Sequence, residues 1–554
     1  MDVRTRIIAA ISARCNAIGL PHGDITLTHP DVLVHGDYTT NIALALAKAA
    51  QRPPRVVAEE IVKGLTIDGV ARIEIAGPGF INFHLKSEFF AESLNTIIAH
   101  QAWGTTERRE EKEIVVEYTD PNPFKAFHIG HLMSNAIGES IARLFESQGV
   151  KVFRANYQGD VGIHIACALW GLKELGIDPH HGPELGRAYS HGAMAYKNDM
   201  QAKEAINALN RKIYEKSDEV LNEQYRVGRA ASLDLFEKLY ALLGTQFDHY
   251  FFESELAEKG KAIVLAHPEV FEDSDGAKVY KGEKVGLHTR VFLSAKGLPI
   301  YETKELALAY EKQALFPRAK TFYVVTANEI IEYYKVVVAA MKEVDAAIAS
   351  KMYHIAHGMM RLPEGKMSSR TGNVITGESL IADLIDAAKT RAAESRAENP
   401  QTLAEQIAVA AIKFQVLRQG TGKDIIFDQE KALSLEGDSG PYIQYAHARC
   451  ISILEKGAVQ GLTPIAAQQE HPSELERTLY RFPEVVTHAA ETLEPHHVAH
   501  FLTHVAGAFN SWYAQEQVLD GSERVAHKLA IVAAVRKTLG QGLHMLGIKA
   551  PERM

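Results

Sequence analysis

Two imidazoles stand three residues apart in the run DPNPFKAFHIGH, residues 120–131, and a basic, hydroxyl-rich loop, GKMSSRTGN, follows at residues 365–373. If the first run opens a helix, His128 and His131 fall on one face of its first turn, and both rings can address the same group. Imidazole N–H groups there would donate hydrogen bonds to phosphate oxygens as charge builds at an attacked phosphorus. Gly130 between them leaves bare backbone against which a nucleotide can lie. In the second run, Lys366 and Arg370 on a chain of Gly, Ser and Thr can close over a polyphosphate and neutralise a leaving group. The two motifs together describe chemistry on a nucleoside triphosphate.

The elements that must position these residues are legible around them. EIVVEYTD reads as a strand, LMSNAIGESIARLFESQG as a helix ended by Gly149, and VKVFRANYQGD as a second strand. Strand, helix and strand form one βαβ unit and imply a parallel sheet. The histidines then lie at the carboxyl edge of that sheet, where α/β folds bind ligands, and at a helix N-terminus, whose free N–H groups attract phosphate. A helical insertion is expected over about 168–245, and the sheet should resume at KTFYVVTA and MYHIAHGMM. Upstream, NIALALAKAA and RVVAEEIVKGL alternate with the extended runs ARIEIAG and GFINFHL, which predicts a small α+β unit. The polar linker TTERREEKE marks a boundary, and from about Thr402 onward the chain is helix-compatible. The expected domains are 1–108, 109–400 and 401–554.

Composition agrees with a multidomain globular protein: 554 residues, 46% hydrophobic and 23% charged. A net charge of -9 argues against a protein that coats nucleic acid by bulk attraction, though not against a local grip. No run has the length and apolarity of a membrane span. Cys15, Cys167 and Cys450 are an odd number, widely spaced, which favours a reducing, cytoplasmic compartment. The initial run MDVRTRIIAAISARCNAIGL reads as the first helix of a folded domain rather than a transit peptide. His496, His500 and His504 recur every fourth residue, but with no thiol or carboxylate partner evident they read as a His-rich helix face. No metal site and no structural zinc are expected.

The pair HIGH and KMSSR resembles the two signatures of class I aminoacyl-tRNA synthetases, and the wider resemblance is to the arginyl-tRNA synthetase family. It is carried by HGDYTTNIALALAKAAQRPPRVVAEEIV, IEIAGPGFINFHL, DPNPFKAFHIGHL, NYQGDVGIH, FDHYFFES, YETKELALA, GPYIQYAHAR and LGIKAPERM, in the family's order. His131 and Lys366 are 235 positions apart, a span filled mainly by one helical insertion, which leaves little room for an editing domain. The resemblance implies a Rossmann-type parallel-sheet catalytic domain with an α+β N-terminal domain and an all-α C-terminal bundle. It implies ATP with Mg²⁺, L-arginine and tRNA-Arg as substrates and partners, a monomer, no membrane attachment, and a requirement for tRNA before arginine is activated.

Residue by residue, the resemblance puts His128, His131, Lys125 and Lys366 at the reacting phosphate, with Gly130, Met367, Ser368, Ser369 and Arg370 around ATP. Asn122 would hold the backbone end of arginine. Glu253 and Glu305 would face its guanidinium, which needs carboxylates aimed at it; Tyr301 and Asn328 would complete the pocket. Asn82 is the candidate contact to the tRNA elbow, and Trp512 and Tyr513 would stack on unpaired anticodon-loop bases. Three departures from the family pattern stand out. Glu305 replaces an aspartate, Asn328 and Glu329 replace paired glutamines, and Ser369 replaces the loop's second lysine, for which Lys125 would compensate. The alternatives are a tRNA-binding paralogue without catalysis, which intact HIGH and KMSSR motifs disfavour, and a class I synthetase for another amino acid such as cysteine.

Overall fold

A computed structural model describes residues 3–106, 112–363 and 376–554. Its centre is a five-stranded sheet of β1 (Glu113–Glu117), β2 (Lys151–Gln158), β3 (His249–Phe252), β4 (Phe322–Ala327) and β5 (Met352–His357). The spatial order is β5-β4-β1-β2-β3, and every pairing is parallel. Ile114, Val115 and Val116 are all fully buried, as a parallel strand covered on both faces requires. Chain order reverses between β1 and β4, so the crevice beyond the carboxyl end of β1 is the topological switch point where doubly wound sheets take ligands.

Helix α1 (Ile129–Ser147) crosses from β1 to β2, with its C-cap followed by Gly149 at φ 78°. It is buried almost throughout from His131 onward. A Cβ at Gly138 would stand 2.3 Å from the Tyr118 ring, so this position must be glycine for strand end and helix to pack. The insertion between β2 and β3 consists of α2 (Ile163–Leu175), α3 (Gly182–Asn198), α4 (Met200–Glu215) and α5 (Glu219–Leu243). Asp199 and Asp218 cap the N-termini of α4 and α5 by accepting backbone N–H bonds. After β3 come α6 (Glu253–Ala266), a three-stranded antiparallel sheet (Glu272–Ser274, Ala277–Tyr280, Arg290–Leu293) and α7 (Tyr301–Leu315). Helix α8 (Ile331–Val344) joins β4 to β5. Neither β3 nor the antiparallel sheet is signalled by alternation in the sequence, because their strands are only three or four residues long.

The N-terminal region forms its own antiparallel sheet of Tyr38–Thr40, Val70–Ala76 and Phe80–Leu85, the last in the middle. Helices Ile42–Ala50 and Pro54–Val62 match the expected runs. Ile7, Ile11, Val57, Ile61, Ile81 and Phe83 form its buried core. Downstream, α9 (Gly377–Ala393) and α10 (Pro400–Leu417) lead into helices Gly440–Val459, Glu474–Leu479, Phe482–Thr492, His496–Gln515 and Val525–Met545. Ile425–Ile426, between these helices, pairs in parallel with Met360–Arg361. By contact the chain groups into two compact units, one of 1–103, 450–482 and 507–538, the other of 104–449, 483–506 and 539–554.

Candidate active site

Histidine 128 is the N-cap of α1, in extended conformation, and its Nδ1 accepts the Gly130 N–H at 3.1 Å. His131 Nδ1 accepts the His128 N–H, also at 3.1 Å. The two imidazoles thus replace the Ser and Glu of an ordinary capping box, each satisfying a backbone donor that the helix leaves open. Because both Nδ1 atoms act as acceptors, the protons of the neutral rings reside on Nε2. The rings are stacked, with centroids 3.5 Å apart. Burial lowers the pKa of both below the usual range, with Lys125 adding to the effect on each and His128 to that on His131. Neutral imidazoles with fixed Nε2–H donors are suited to an oxyanion, since they give hydrogen bonds without reorganising. A Cβ at Gly130 would lie 3.0 Å from the His128 ring, so glycine here makes room for the capping imidazole as well as for a ligand.

Lys366, Met367, Ser368, Ser369 and Arg370 lie outside the described residues. The segment that follows them is anchored at the histidines: Thr376 pairs with His128 in an antiparallel bridge, and the Gly377 N–H donates to the Phe127 carbonyl at 2.6 Å. Glu378 accepts the Phe127 N–H at 3.2 Å. Lys125 sits over the Tyr189 ring, 5.1 Å from its centroid, its pKa lowered by burial while Glu253 pulls the other way.

The second cluster is rich in acids. Asn122 Oδ1 accepts the Gly159 N–H at 2.8 Å, and a Cβ at Gly159 would touch both Asn122 Oδ1 and Glu253 Oε1. Glu253, at the start of α6, is thereby brought beside Asn122, and Glu305, in the second turn of α7, is close enough to Glu253 to feel its charge. Glu253 is not open, however: the buried ammonium of Lys304 donates to its carboxylate. Lys312 pairs with Glu117 at 2.7 Å, and Arg290 with Glu302 at 3.1 Å. None of the described residues forms an ion pair with Glu305. Burial pushes its carboxyl up to about 8, with Glu117, Glu253 and Glu302 adding to the effect and Lys312 opposing it. The two candidate acids thus differ in setting: Glu253 carries the Lys304 ammonium, whereas Glu305 has no such partner among the described residues. Tyr301 is exposed, with the Lys304 ammonium 5.1 Å from its ring centroid. Asn328 is exposed at the carboxyl end of β4, where a three-residue 3₁₀ turn begins.

Three candidates elsewhere behave differently. Asn82 is 4% exposed and its amide oxygen accepts from Thr39 Oγ1 at 2.6 Å, so it cross-links the N-terminal sheet and does not present its amide at a surface. Trp512 is half-buried and Tyr513 exposed, both against Phe509. His496 does have a carboxylate partner, contrary to the reading from sequence: its Nδ1 is 3.0 Å from Glu494. His500 Nε2 donates to the Arg418 carbonyl, and among the described residues no three potential ligands converge on a metal position.

Sequence reasoning missed several residues that shape the crevice. Besides Lys304, these include Asp160, which accepts from the Ser254 N–H and hydroxyl and from Arg229 Nε, and His164, whose Nε2 donates to the Gly159 carbonyl. The only available signal was that Asp160 and His164 stand in the quoted block NYQGDVGIH; nothing local told their roles.

Family comparison agrees along the whole chain. Residues 93–429 match the family described as tRNA synthetases class I (R), catalytic domain, residues 2–85 the arginyl tRNA synthetase N terminal domain, and residues 443–554 the DALR anticodon binding domain. The chain is 31% identical over 526 residues to the arginine–tRNA ligase of Streptococcus equi subsp. equi, covering 92% of this chain and 93% of that one. It is 30% identical over 569 residues to that of Lactococcus lactis subsp. cremoris, with both chains covered completely. The solved arginyl-tRNA synthetase of Thermus thermophilus superposes with a TM-score of 0.82 at 26% identity, again over 100% of each chain.

Proposed function

The chain belongs to the arginyl-tRNA synthetase family, whose activity is the ATP-dependent joining of arginine to tRNA, and from that premise we propose how its own residues carry the reaction. Arginine enters with its guanidinium toward Glu305 and its backbone end toward Asn122. Its carboxylate attacks the α-phosphorus of ATP, a P–O bond forms as the bond to the pyrophosphate leaving group breaks, and arginyl-adenylate results. The Nε2–H groups of His128 and His131 donate to the phosphate oxygens as negative charge builds on them. Lys125 and the loop residues Lys366 and Arg370 neutralise the departing pyrophosphate, with Mg²⁺ bound to ATP sharing that charge. Met367, Ser368 and Ser369 complete the loop over ATP. The arginyl group then passes to the 3′ end of tRNA-Arg, whose anticodon loop is met by Trp512 and Tyr513. A monomer working in the cytoplasm fits this reading, and no described helix is long and apolar enough to cross a membrane.

The observation that carries the reading is the pair of reciprocal caps, which fixes two neutral donors at the switch point of the sheet. Arginine-dependent exchange of pyrophosphate into ATP, with and without tRNA-Arg, tests it. Exchange with arginine in the presence of tRNA is expected. Exchange driven by a different amino acid would overturn the pocket assignment; silence with tRNA still bound would identify a binding protein without catalysis.

A further inference from the structure

The Lys125 charge reaches both histidines, lowering the pKa of each, yet among the described residues no carboxylate or carbonyl accepts a hydrogen bond from its ammonium. What it meets is the face of the Tyr189 ring, 5.1 Å from the centroid and within the ~6 Å over which an aromatic quadrupole attracts a cation. Neighbouring cations that lie over rings are already committed to acids. Lys304, over Tyr301, donates to Glu253, and Arg229, over Phe252, donates to Asp160. A carboxylate would hold Lys125 too, but it would cancel the charge and occupy N–H donors. A ring face attracts the ammonium and leaves its donors for a ligand.

Tyr189 belongs to α3, a helix of the insertion that its neighbours seat closely. A Cβ at Gly186, one turn earlier, would lie 3.0 Å from the Ala126 backbone N, so α3 abuts the residue after Lys125. Against α2 the approach is closer still: a Cβ at Gly171 would stand 2.0 Å from the Ala188 carbonyl oxygen, and one at Gly192 2.0 Å from that of Cys167. Helices packed backbone to backbone have little play, and the ring therefore has a fixed place beside Lys125. Helix α5 holds the preceding residue, since Ser232 accepts the Phe124 N–H at 2.9 Å and a Cβ at Gly228 would lie 2.3 Å from the Phe124 ring. The insertion thus grips the approach to the histidines with two of its helices.

We propose that Tyr189 is a positioning residue, whose ring holds the Lys125 ammonium beside the two histidines with its charge uncancelled and its donors free for the ATP phosphates. The inference rests on the placing of Lys125 under Proposed function, and the variants separate the two. Arginine-dependent pyrophosphate exchange is followed from neutral to alkaline pH, with tRNA-Arg present, for the unsubstituted protein, Tyr189→Phe, Tyr189→Leu, Tyr189→Met and Lys125→Met. Besides the ring, Glu253 of α6 and Cys167 of α2 favour the charged form of Lys125 while burial opposes it, and His128, His131 and His164 feel its charge. Removing the ring should lower kcat about tenfold and move the alkaline limb of its pH profile down by about one unit, with KM for arginine little changed. Tyr189→Phe keeps the ring and should restore both values, and Tyr189→Met reports where Tyr189→Leu fails to fold. Unchanged kcat in the Leu and Met variants, a lower kcat with the alkaline limb unmoved, or an equal loss in Tyr189→Phe would make Tyr189 a packing residue only and overturn the proposal. Full activity of Lys125→Met would instead overturn the placing of Lys125 at the phosphates.

Discussion

On the proposed reading, in which Glu305 receives the guanidinium, arginine binding is a proton-release reaction. Burial and the negative charges of Glu117, Glu253 and Glu302 hold its carboxyl at about 8, so at pH 7 the empty site carries it mostly protonated. A guanidinium needs the carboxylate, and binding must first expel that proton. Each pH unit below 8 therefore costs about 1.4 kcal/mol, or about tenfold in arginine affinity, whereas above 8 the affinity levels off. Between pH 8.5 and 6.5 the dissociation constant for arginine should rise about 30-fold. Burial lowers the pKa values of His128 and His131, which moves their titration away from this window. Calorimetric titration at pH 7 in two buffers of different ionisation enthalpy should show close to one proton released per arginine. Glu305→Gln should abolish both the slope and the release while weakening binding by about 1.5–3 kcal/mol, the usual worth of a hydrogen bond to a charged group. Affinity that is flat from pH 6 to 9 in the unsubstituted protein would refute the assignment of Glu305 as the acid that receives the substrate.

Other consequences are as direct. Asparagine is a good N-cap, so His128→Asn should keep the cap of α1 and melt within a few degrees of the parent, yet lose about 10²-fold or more in kcat because the Nε2–H donor is gone. Gly138→Ala would push a methyl group into the Tyr118 ring and should destabilise the protein by about 1–3 kcal/mol, read as a lower urea midpoint. Lys413 is buried beside Glu139, donates to the Gly547 carbonyl, and is held down to about 7 by burial. A lysine depressed on folding binds fewer protons folded than unfolded between about pH 7 and its ordinary 10.5. Stability should therefore rise with pH in that range and fall back as pH drops toward 7, by about 2 kcal/mol between pH 9 and 7; in Lys413→Met this part of the pH profile should flatten.

How far the sequence could be read depended on whether the signal was local. The βαβ unit at the opening motif, the helical insertion and the resuming strands were legible because each is a long periodic run. β3 was not: HYFF is four residues with no alternation, and it becomes a strand only because β2 offers it an edge. The histidines were legible as a pair at i and i+3, but their tautomer was not, since it depends on caps that exist only once α1 has formed. Glu253 could be named as an acid, whereas its partner Lys304 is 51 positions away and meets it only through the packing of α6 and α7. The setting of Asn82, the candidate contact to the tRNA elbow, was likewise not legible. In a strand with one solvated face a polar residue points outward, but Asn82 lies in the middle strand of its sheet, where Ile81, Asn82 and Phe83 are all buried.

The polar residues buried along α1 make sense once the strain beside them is counted. Thr119, Asp120 and Phe124 have φ values of 79°, 46° and 65°, conformations that cost a non-glycine residue about 1–3 kcal/mol each. Such a segment persists only when its surroundings over-determine it. Ser134 accepts the Thr119 N–H while donating to the Val325 carbonyl of β4, Asn135 donates to Thr119 and Thr245, and Ser232 of α5 accepts the Phe124 N–H. Tyr118, just before the strained turn, donates to Glu139, which Arg143 and Arg154 hold ionised at about 2. One helix therefore presents the histidines at its first turn and, over its next two, ties down the irregular segment carrying Asn122 and Lys125. On the proposed reading that shared support sets the distance between phosphate donors and amino-acid contacts, which accounts for a largely buried helix spending positions on serine, asparagine and glutamate.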